Sequence, residues 1–284
     1  MELERCRFEP ADLEAYAALF SACFPGAAKL RDLAYLRWLY LENPLGPAVG
    51  FNAIADGRLA AHYVCTRARI RFDGRPVPAL LSLNTATHPD FQGKGLFTRL
   101  AERTYAAGAE EGMALVYGVA NANSTPGFLR KLGFSLVEPL ESRVGIGPLG
   151  RFDWADAGGR ARFAQDWTPE LLRWRTANPA NPVALHHAGD GALALHAFTG
   201  RPLLRAWAEI PRPAVLPDLP VRGGAPLRVW LGLMPRGSGR FGLHAQLPER
   251  LRPSPLNLIF RDLQGGSVLE AGQSVFSFLD FDAF

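Results

Sequence analysis

The stretch "THPDFQGKGLFTRL", residues 87–100, sets Gln92, Gly93, Lys94 and Gly95 between an apolar run ending at Thr87 and an amphipathic run starting at Leu96. A turn from strand to helix leaves the first N–H groups of the helix without intrahelical partners, and the helix dipole adds partial positive charge there. Such a place holds anions. Gly93 and Gly95 permit backbone conformations closed to other residues and let a phosphate approach the amides, while Gln92 and Lys94 supply further donors. From the glycines alone two readings stand: a pyrophosphate cradle, or a tight turn that needs glycine for steric reasons. The mononucleotide loop, with four residues between its glycines and Lys-Ser/Thr after the second, does not fit. Nor does the dinucleotide fingerprint G-x-G-x-x-G after a first parallel strand.

Groups that could move a proton near this turn are His88, His62, Asp90, Tyr117 and the carboxylates of the tail "FLDFDAF". Each also has a structural reading: His88 and Asp90 as polar turn residues, Tyr117 as a core aromatic, His62 as part of the fold.

The elements that position these residues follow from periodicity. "ADLEAYAALFSACF", from Ala11 to Phe24, repeats apolar side chains at helical spacing until Pro25-Gly26. A second helix spans Arg31 to Leu41 and breaks at Asn43-Pro44. The period then changes to two. "GFNAIAD", the run Leu59 to Phe72 and "VPALLSLNTAT", joined by Asp56-Gly57 and Asp73-Gly74, form an antiparallel meander. After the glycine turn come a helix from Leu96 to Gly112, a strand over 114–120 and a helix over 124–133. In the last, Ser124 or Thr125 caps, Pro126 fits the first turn and Gly133 ends it. The strand at 114 follows a helical crossover and lies parallel to its neighbour. The expected class is α/β of the α+β kind, a mixed, mostly antiparallel sheet flanked by helices.

The chain has 284 residues, 48% hydrophobic and 20% charged, enough for one large or two modest domains. Its net charge of +4 comes from scattered arginines, with lysine only at 29, 94 and 131. That balance suits an anionic ligand better than nucleic acid. Cys6, Cys23 and Cys65 are odd in number and lack metal or disulfide spacing, so no metal and a reducing, cytoplasmic location are expected. No apolar run approaches membrane-spanning length, and "MELERCRFEP" lacks the features of a signal peptide. A soluble protein, away from membranes, is the expectation.

The second half echoes the first. "YLRWLYLENP" (35–44) matches "LLRWRTANP" (171–179), pairing Trp38 with Trp174 and Asn43 with Asn178. "ADGRLAAHYV" (55–64) matches "GDGALALHAF" (189–198), pairing Asp56 with Asp190 and His62 with His196. A weaker echo sets "FLRKLG" (128–133) against "IFRDLQG" (259–265). Two matches in one order, offset by about 135 residues, argue for a duplicated domain. The boundaries would be 1–147 and 148–284. The second copy lacks the glycine turn and reads "PRPAVLPDLPVRGGAPL" in its place, so it is expected to hold no phosphate. Because His196 recurs in that copy, His62 serves the fold rather than a reaction.

Residues 83–134, "LNTATHPDFQGKGLFTRLAERTYAAGAEEGMALVYGVANANSTPGFLRKLGF", resemble the acetyl-CoA-binding core of the GNAT acyltransferase superfamily. Gln92 and Gly95 match its Q/R-x-x-G-x-G/A signature, Pro89 the proline before it, and "LRKLGF" the end of its last helix. The resemblance implies an acyl-CoA co-substrate, most simply acetyl-CoA, and a small-molecule amine acceptor, in a tandem chain acting as a monomer or homodimer. It implies that Thr85, Ala86 and Thr87 pair with the pantetheine arm. It further implies that Gln92, Gly93, Lys94, Gly95, Leu96, Phe97 and Thr98 wrap the pyrophosphate, and that Asn121 and Asn123 lie where the sheet splays. Two departures stand out: Phe97 replaces a small residue of the signature, and Phe128 replaces the tyrosine that many members use to protonate the leaving thiolate. The strand 77–87 also lacks the carboxylate that many members use as base. Tyr117 and His88 are left as catalytic candidates, and Arg67, Arg69 and Arg71, on one strand face, as a solvated face or a site for an acidic acceptor or the CoA 3'-phosphate. A non-catalytic acyl-CoA-binding module and an aminoacyl-tRNA-dependent transferase are the competing readings. The intact turn and the absence of a dense basic surface weigh against the second.

Overall fold

The computed structural model describes residues 1–189, 191–252 and 254–284, with every side chain among them except that of residue 249. Asp190, the expected partner of Asp56, lies outside the described residues. The first half runs β1 (Glu2–Arg5), α1 (Pro10–Cys23), α2 (Leu33–Leu41), β2 (Val49–Ala55), β3 (Arg58–Phe72), β4 (Arg75–Thr87), α3 (Leu96–Glu110), β5 (Leu115–Ala120), α4 (Thr125–Lys131), β6 (Ser135–Pro139) and β7 (Glu141–Gly145). The second runs β8 (Gly150–Phe152), α5 (Trp154–Arg160), β9 (Phe163–Gln165), α6 (Pro169–Thr176), β10 (Ala184–Ala188), β11 (Ala192–Phe198), β12 (Leu204–Pro211), β13 (Leu227–Leu233), β14 (Gly239–Phe241), β15 (His244–Gln246), β16 (Asn257–Asp262) and β17 (Ser274–Ser277).

Local chemistry explains the boundaries. Asp32 caps α2, its carboxylate accepting from the N–H groups of Ala34 and Tyr35. Both Asp-Gly turns of the meander have positive φ at both residues, 51° and 71° at Asp56 and Gly57, 49° and 77° at Asp73 and Gly74, as two-residue hairpins require. Helix α3 buries Leu96, Leu100, Thr104 and Gly108 along one stripe against the sheet. Gly108 lets the helix pack closely there, since a Cβ would lie 2.6 Å from Leu80 Cδ1 and that side chain would have to shift.

The first sheet is ordered β1-β2-β3-β4-β5-β16-β6, antiparallel except for the β4–β5 pair. The second is ordered β10-β11-β12-β13-β7-β15, antiparallel except for β12–β13. Strands cross the boundary expected at 147/148: β7 pairs with β13, and β16 enters between β5 and β6. β9 and β17 then bridge β3 to β13. At the centre, Trp38 of α2 stacks on Trp174 of α6 with ring centroids 4.9 Å apart. Each indole N–H donates to the other residue's backbone carbonyl, at 2.9 and 3.1 Å. Asn43 and Asn178 close equivalent turns, each accepting from the backbone N–H two residues on. The third echo is not a structural match: "FLRKLG" lies in and just after α4, whereas "IFRDLQG" begins in β16.

Candidate active site

Strands β4 and β5 stay paired from Ala79 opposite Leu115 to Ser82 opposite Gly118 and then part. Gly118 allows the last close approach, because a Cβ there would lie 3.3 Å from the Cβ and the carbonyl oxygen of Ser82. Past Ser82, β4 continues on β3 alone, with a bulge. His62 faces Ala86 and Val64 faces Leu83, so Asn84 and Thr85 together oppose one residue. Asn84 takes φ 49°, a conformation that asparagine tolerates better than most residues, and its amide donates to the Tyr40 hydroxyl at 3.0 Å. The parting opens a cleft of about 580 Å³.

The glycine turn closes one end of this cleft. Gly93 and Gly95 have φ of 76° and 70°, and a Cβ on either would meet nothing within 4 Å. Glycine is required here by the backbone conformation, and the space beside it is open. Gly95 is the N-cap of α3, and no side chain caps that end among the described residues. The first N–H groups of the helix are therefore free for an anion. Lys94 lies over the Phe91 ring, 4.9 Å from its centroid.

Of the residues expected to hold the acyl-CoA, Thr85, Thr87, Gln92, Phe97, Asn121, Asn123 and Phe128 line the cleft. Gly93, Lys94, Gly95 and Leu96 lie between the lining residues Gln92 and Phe97, with Thr98 next in the helix. Leu96 is buried in the core beneath α3, and Ala86 turns its methyl into the cluster under α1 and α2. Asn121 builds the start of α4, its amide oxygen accepting from the N–H groups of Asn123 and Ser124. Ser124 holds the N-cap position without a side-chain cap, and the Thr125 N–H donates to the Asn121 backbone carbonyl at 2.9 Å. Phe97 and Phe128 meet edge to face, centroids 5.2 Å apart, and Gly127 makes room for Phe97, since a Cβ would lie 3.1 Å from its Cε1. The two departures from the signature pack on each other.

Sequence reasoning missed Cys23, Phe24, Ser82, Asn84, Gly118 and Ile259, which also line the cleft. Only Gly118, a glycine inside a strand, and Asn84, an asparagine placed for a bulge, carry a signal. The Cys23 thiol donates to the Thr87 carbonyl at 3.3 Å, and burial pushes its pKa up, so it is a neutral thiol.

The proton-transfer candidates lie elsewhere. Tyr117 is buried on β5 outside the cleft lining, packed on Phe163 and Phe276, and its hydroxyl reaches Gln165 Oε1 at 3.3 Å and the Asp280 carbonyl at 3.4 Å. His88 caps the turn Pro89–Phe91, accepting from the Asp90 N–H at 3.3 Å. His62 is fully buried, stacked on Tyr16, with Nδ1 2.8 Å from Asn52 Oδ1, and burial pushes its pKa down to about 3. In the tail, burial raises Asp280 to about 7 against its hydrogen bonds from Ser277. Burial alone would raise Asp282 too, but Arg175 and Lys29 hold it below the ordinary carboxylate value. It ties the tail to α2 and α6 through Tyr35, Lys29, Arg175 and Asn178. Arg67 and Arg69 pair with Glu111 and Asp166 and do not line the cleft, which removes them as a recognition face for it. Among the described residues, the cleft lining carries no carboxylate or imidazole, and no cluster of three metal-ligating side chains occurs. No helix is long and apolar enough to cross a membrane.

The cleft thus combines the parting of two parallel strands with an uncapped helix start. Residues 7–137, a little under half of the chain, match the family model described as an acetyltransferase (GNAT) domain. None of the curated proteins matches the chain. Three solved structures share the fold. A probable N-acyltransferase from Enterococcus faecalis has a TM-score of 0.62 at 11% identity, covering 93% of this chain and 73% of that one. Eis1 from Mycobacterium abscessus has 0.58 at 13%, covering 93% and 74%. A GCN5-related N-acetyltransferase from Anabaena variabilis has 0.58 at 11%, covering 92% and 73%.

Proposed function

We propose that the chain transfers an acyl group, acetyl first, from its CoA thioester to a primary amine of a small molecule. The observation that carries this reading is the open parting of β4 and β5 beside an uncapped helix start, with Gly93 and Gly95 in positive φ. In this reading the pyrophosphate rests on the amides of 93–98, and the pantetheine arm pairs with the free edge of β4 at 85–87. The thioester carbon then sits at the parting. The amine nitrogen attacks it, the C–N bond forms, the C–S bond breaks, and the sulfur leaves with the bonding pair. The proton lost by the ammonium passes to water, and the weakly basic thiolate needs no dedicated acid. The absence of a carboxylate or imidazole from the lining supports this water route. That same absence favours a second reading, an acyl-CoA-binding module without catalysis.

We further propose that the second half is a degenerate copy without a CoA site of its own, helping to shape the acceptor side. The strand orders, the Trp38–Trp174 pair and the Asn43 and Asn178 turns support this. A thiol-release assay with acetyl-CoA and a panel of primary amines tests the transfer. Release above background with at least one amine is expected. Acetyl-CoA binding by calorimetry with no release from any amine would favour the binding module.

A further inference from the structure

A second cavity, of about 640 Å³, lies next to the cleft. Leu140, Val229, Leu231, Leu256, Phe281 and Phe284 are among its apolar lining, and Ser142, Arg252, Ser254 and Asp282 are its polar lining. Two sets of contacts relate it to the cleft. Ala122, between the lining residues Asn121 and Asn123, donates its N–H to Ser254 Oγ at 3.3 Å. Leu83 and Val119, which line the cleft, pack on the same apolar cluster as Leu256, Phe281 and Phe284, which line the cavity.

Protein interiors are otherwise close-packed, and a large space walled by leucine and phenylalanine forfeits dispersion contacts and offers water few partners. An apolar ligand recovers those contacts. Among the described residues, the charges around the cavity give a polycation no free partner. Asp282 borders it, but its carboxylate is already bound by Lys29, Arg175, Tyr35 and Asn178, and Arg252 adds positive charge. We propose that this cavity holds the body of the acceptor, and that the acceptor is a primary amine with an apolar alkyl or aryl body, its nitrogen directed toward Leu83 and Val119. The inference rests on the acyl-transfer reading above and names the substrate class for it.

The test uses the full chain, saturating acetyl-CoA and the series ethylamine, butylamine, hexylamine and phenethylamine, with spermidine as the polycation. Thiol release should give a kcat/KM that rises roughly three- to fourfold per added methylene, with spermidine near background. A flat series, or spermidine as the best acceptor, overturns the inference and leaves acyl transfer standing. Hexylamine binding is also measured directly by calorimetry, so the cavity is tested even if no amine releases thiol. Val229→Trp, which fills the cavity, and Leu247→Arg, which charges its wall, should each weaken that binding at least tenfold. Acetyl-CoA affinity and the circular dichroism spectrum report that each variant is folded. Absence of hexylamine binding, or unchanged binding in both folded variants, refutes the proposal.

Discussion

Gly95 allows the phosphate turn to be tested without breaking the fold. It sits at φ 70°, ψ 15°, with nothing within 4 Å of a Cβ built there. A side chain at this position costs only the left-handed backbone, about 1 kcal/mol, or about 2–4 °C in Tm. Asparagine bears that conformation more easily than most residues, so Gly95→Asn is the neutral control. Gly95→Glu adds a carboxylate about 5 Å from a bound phosphate, and at an effective dielectric near 20 each charge pair at that distance is worth about 3 kcal/mol. One such repulsion weakens binding roughly 100-fold, and a pyrophosphate carries more than one charge. Calorimetric titration with acetyl-CoA should show Gly95→Asn near wild type and Gly95→Glu weakened at least 100-fold, with similar melting temperatures. Raising the salt concentration should narrow the gap, since the charges are exposed. An affinity for Gly95→Glu within threefold of wild type refutes the cradle.

Two further outcomes follow from the site's surroundings. Tyr117→Phe keeps the packing on Phe163 and Phe276 and removes only two long hydrogen bonds, so its thiol-release kcat should stay within twofold of wild type. A tenfold loss would restore Tyr117 as a proton donor. Asp280 has its pKa raised by burial from 3.8 to about 7, so the folded state binds more proton than the unfolded one between those values. Its contribution is fully present below about pH 4 and is lost as pH rises through about 7, by at most about 1.4 kcal/mol per pH unit. His62, pushed down to about 3, acts in the opposite direction below its ordinary value. The comparison with Asp280→Asn therefore isolates the aspartate. Urea unfolding should show wild type losing stability relative to Asp280→Asn from pH 5 to pH 7.5, and parallel curves would contradict the burial argument.

The site's frame was legible where short-range chemistry dictates it. The Asp-Gly turns, the α3 stripe, the proline-glycine stop after α1 and the helix start at Gly95 each follow from a few neighbouring residues. The cleft lining was less legible, because it is assembled from parts far apart in sequence. Cys23 and Phe24 come from the end of α1, Ile259 from a strand more than a hundred residues past β5. Nothing local in "NLIFRD" announces that β16 enters between β5 and β6. Tyr117 shows the opposite failure. Its residue type and its place on the parallel strand suit proton transfer, and it shares a face of β5 with the lining residue Val119, but Phe163, Phe276 and the tail around Asp280 enclose it short of the cleft. The arginines of "RARIRF" were readable as one face, but Glu111 and Asp166, brought by the end of α3 and by the chain after β9, are what Arg67 and Arg69 meet.

On the proposed duplication, the second sheet gives a reason for a single cradle. β12 and β13 pair in parallel from Leu204 opposite Leu227 to Trp207 opposite Trp230, and then they also separate. Here the chain's own β17 lies along the continuation of β13, with Gly232 facing Ser277 and Leu233 facing Phe276. Gly232 permits this contact, since a Cβ would lie 2.1 Å from the Phe276 carbonyl oxygen. Phe278 and Leu279 then pack with Ala208 and Ile210 of the diverging β12. Both partings carry a glycine, Gly118 in one and Gly232 in the other, but they put it to different uses. In the first sheet the freed edge of β4 stays available to a pantetheine arm. In the second, β17 and the tail occupy the corresponding space. Among the described residues, the proline-rich segment before β13 contains no helix to present amides, which agrees with the proposal that this half has no CoA site of its own. Restoring a glycine turn in that segment would supply neither the helix nor the free edge.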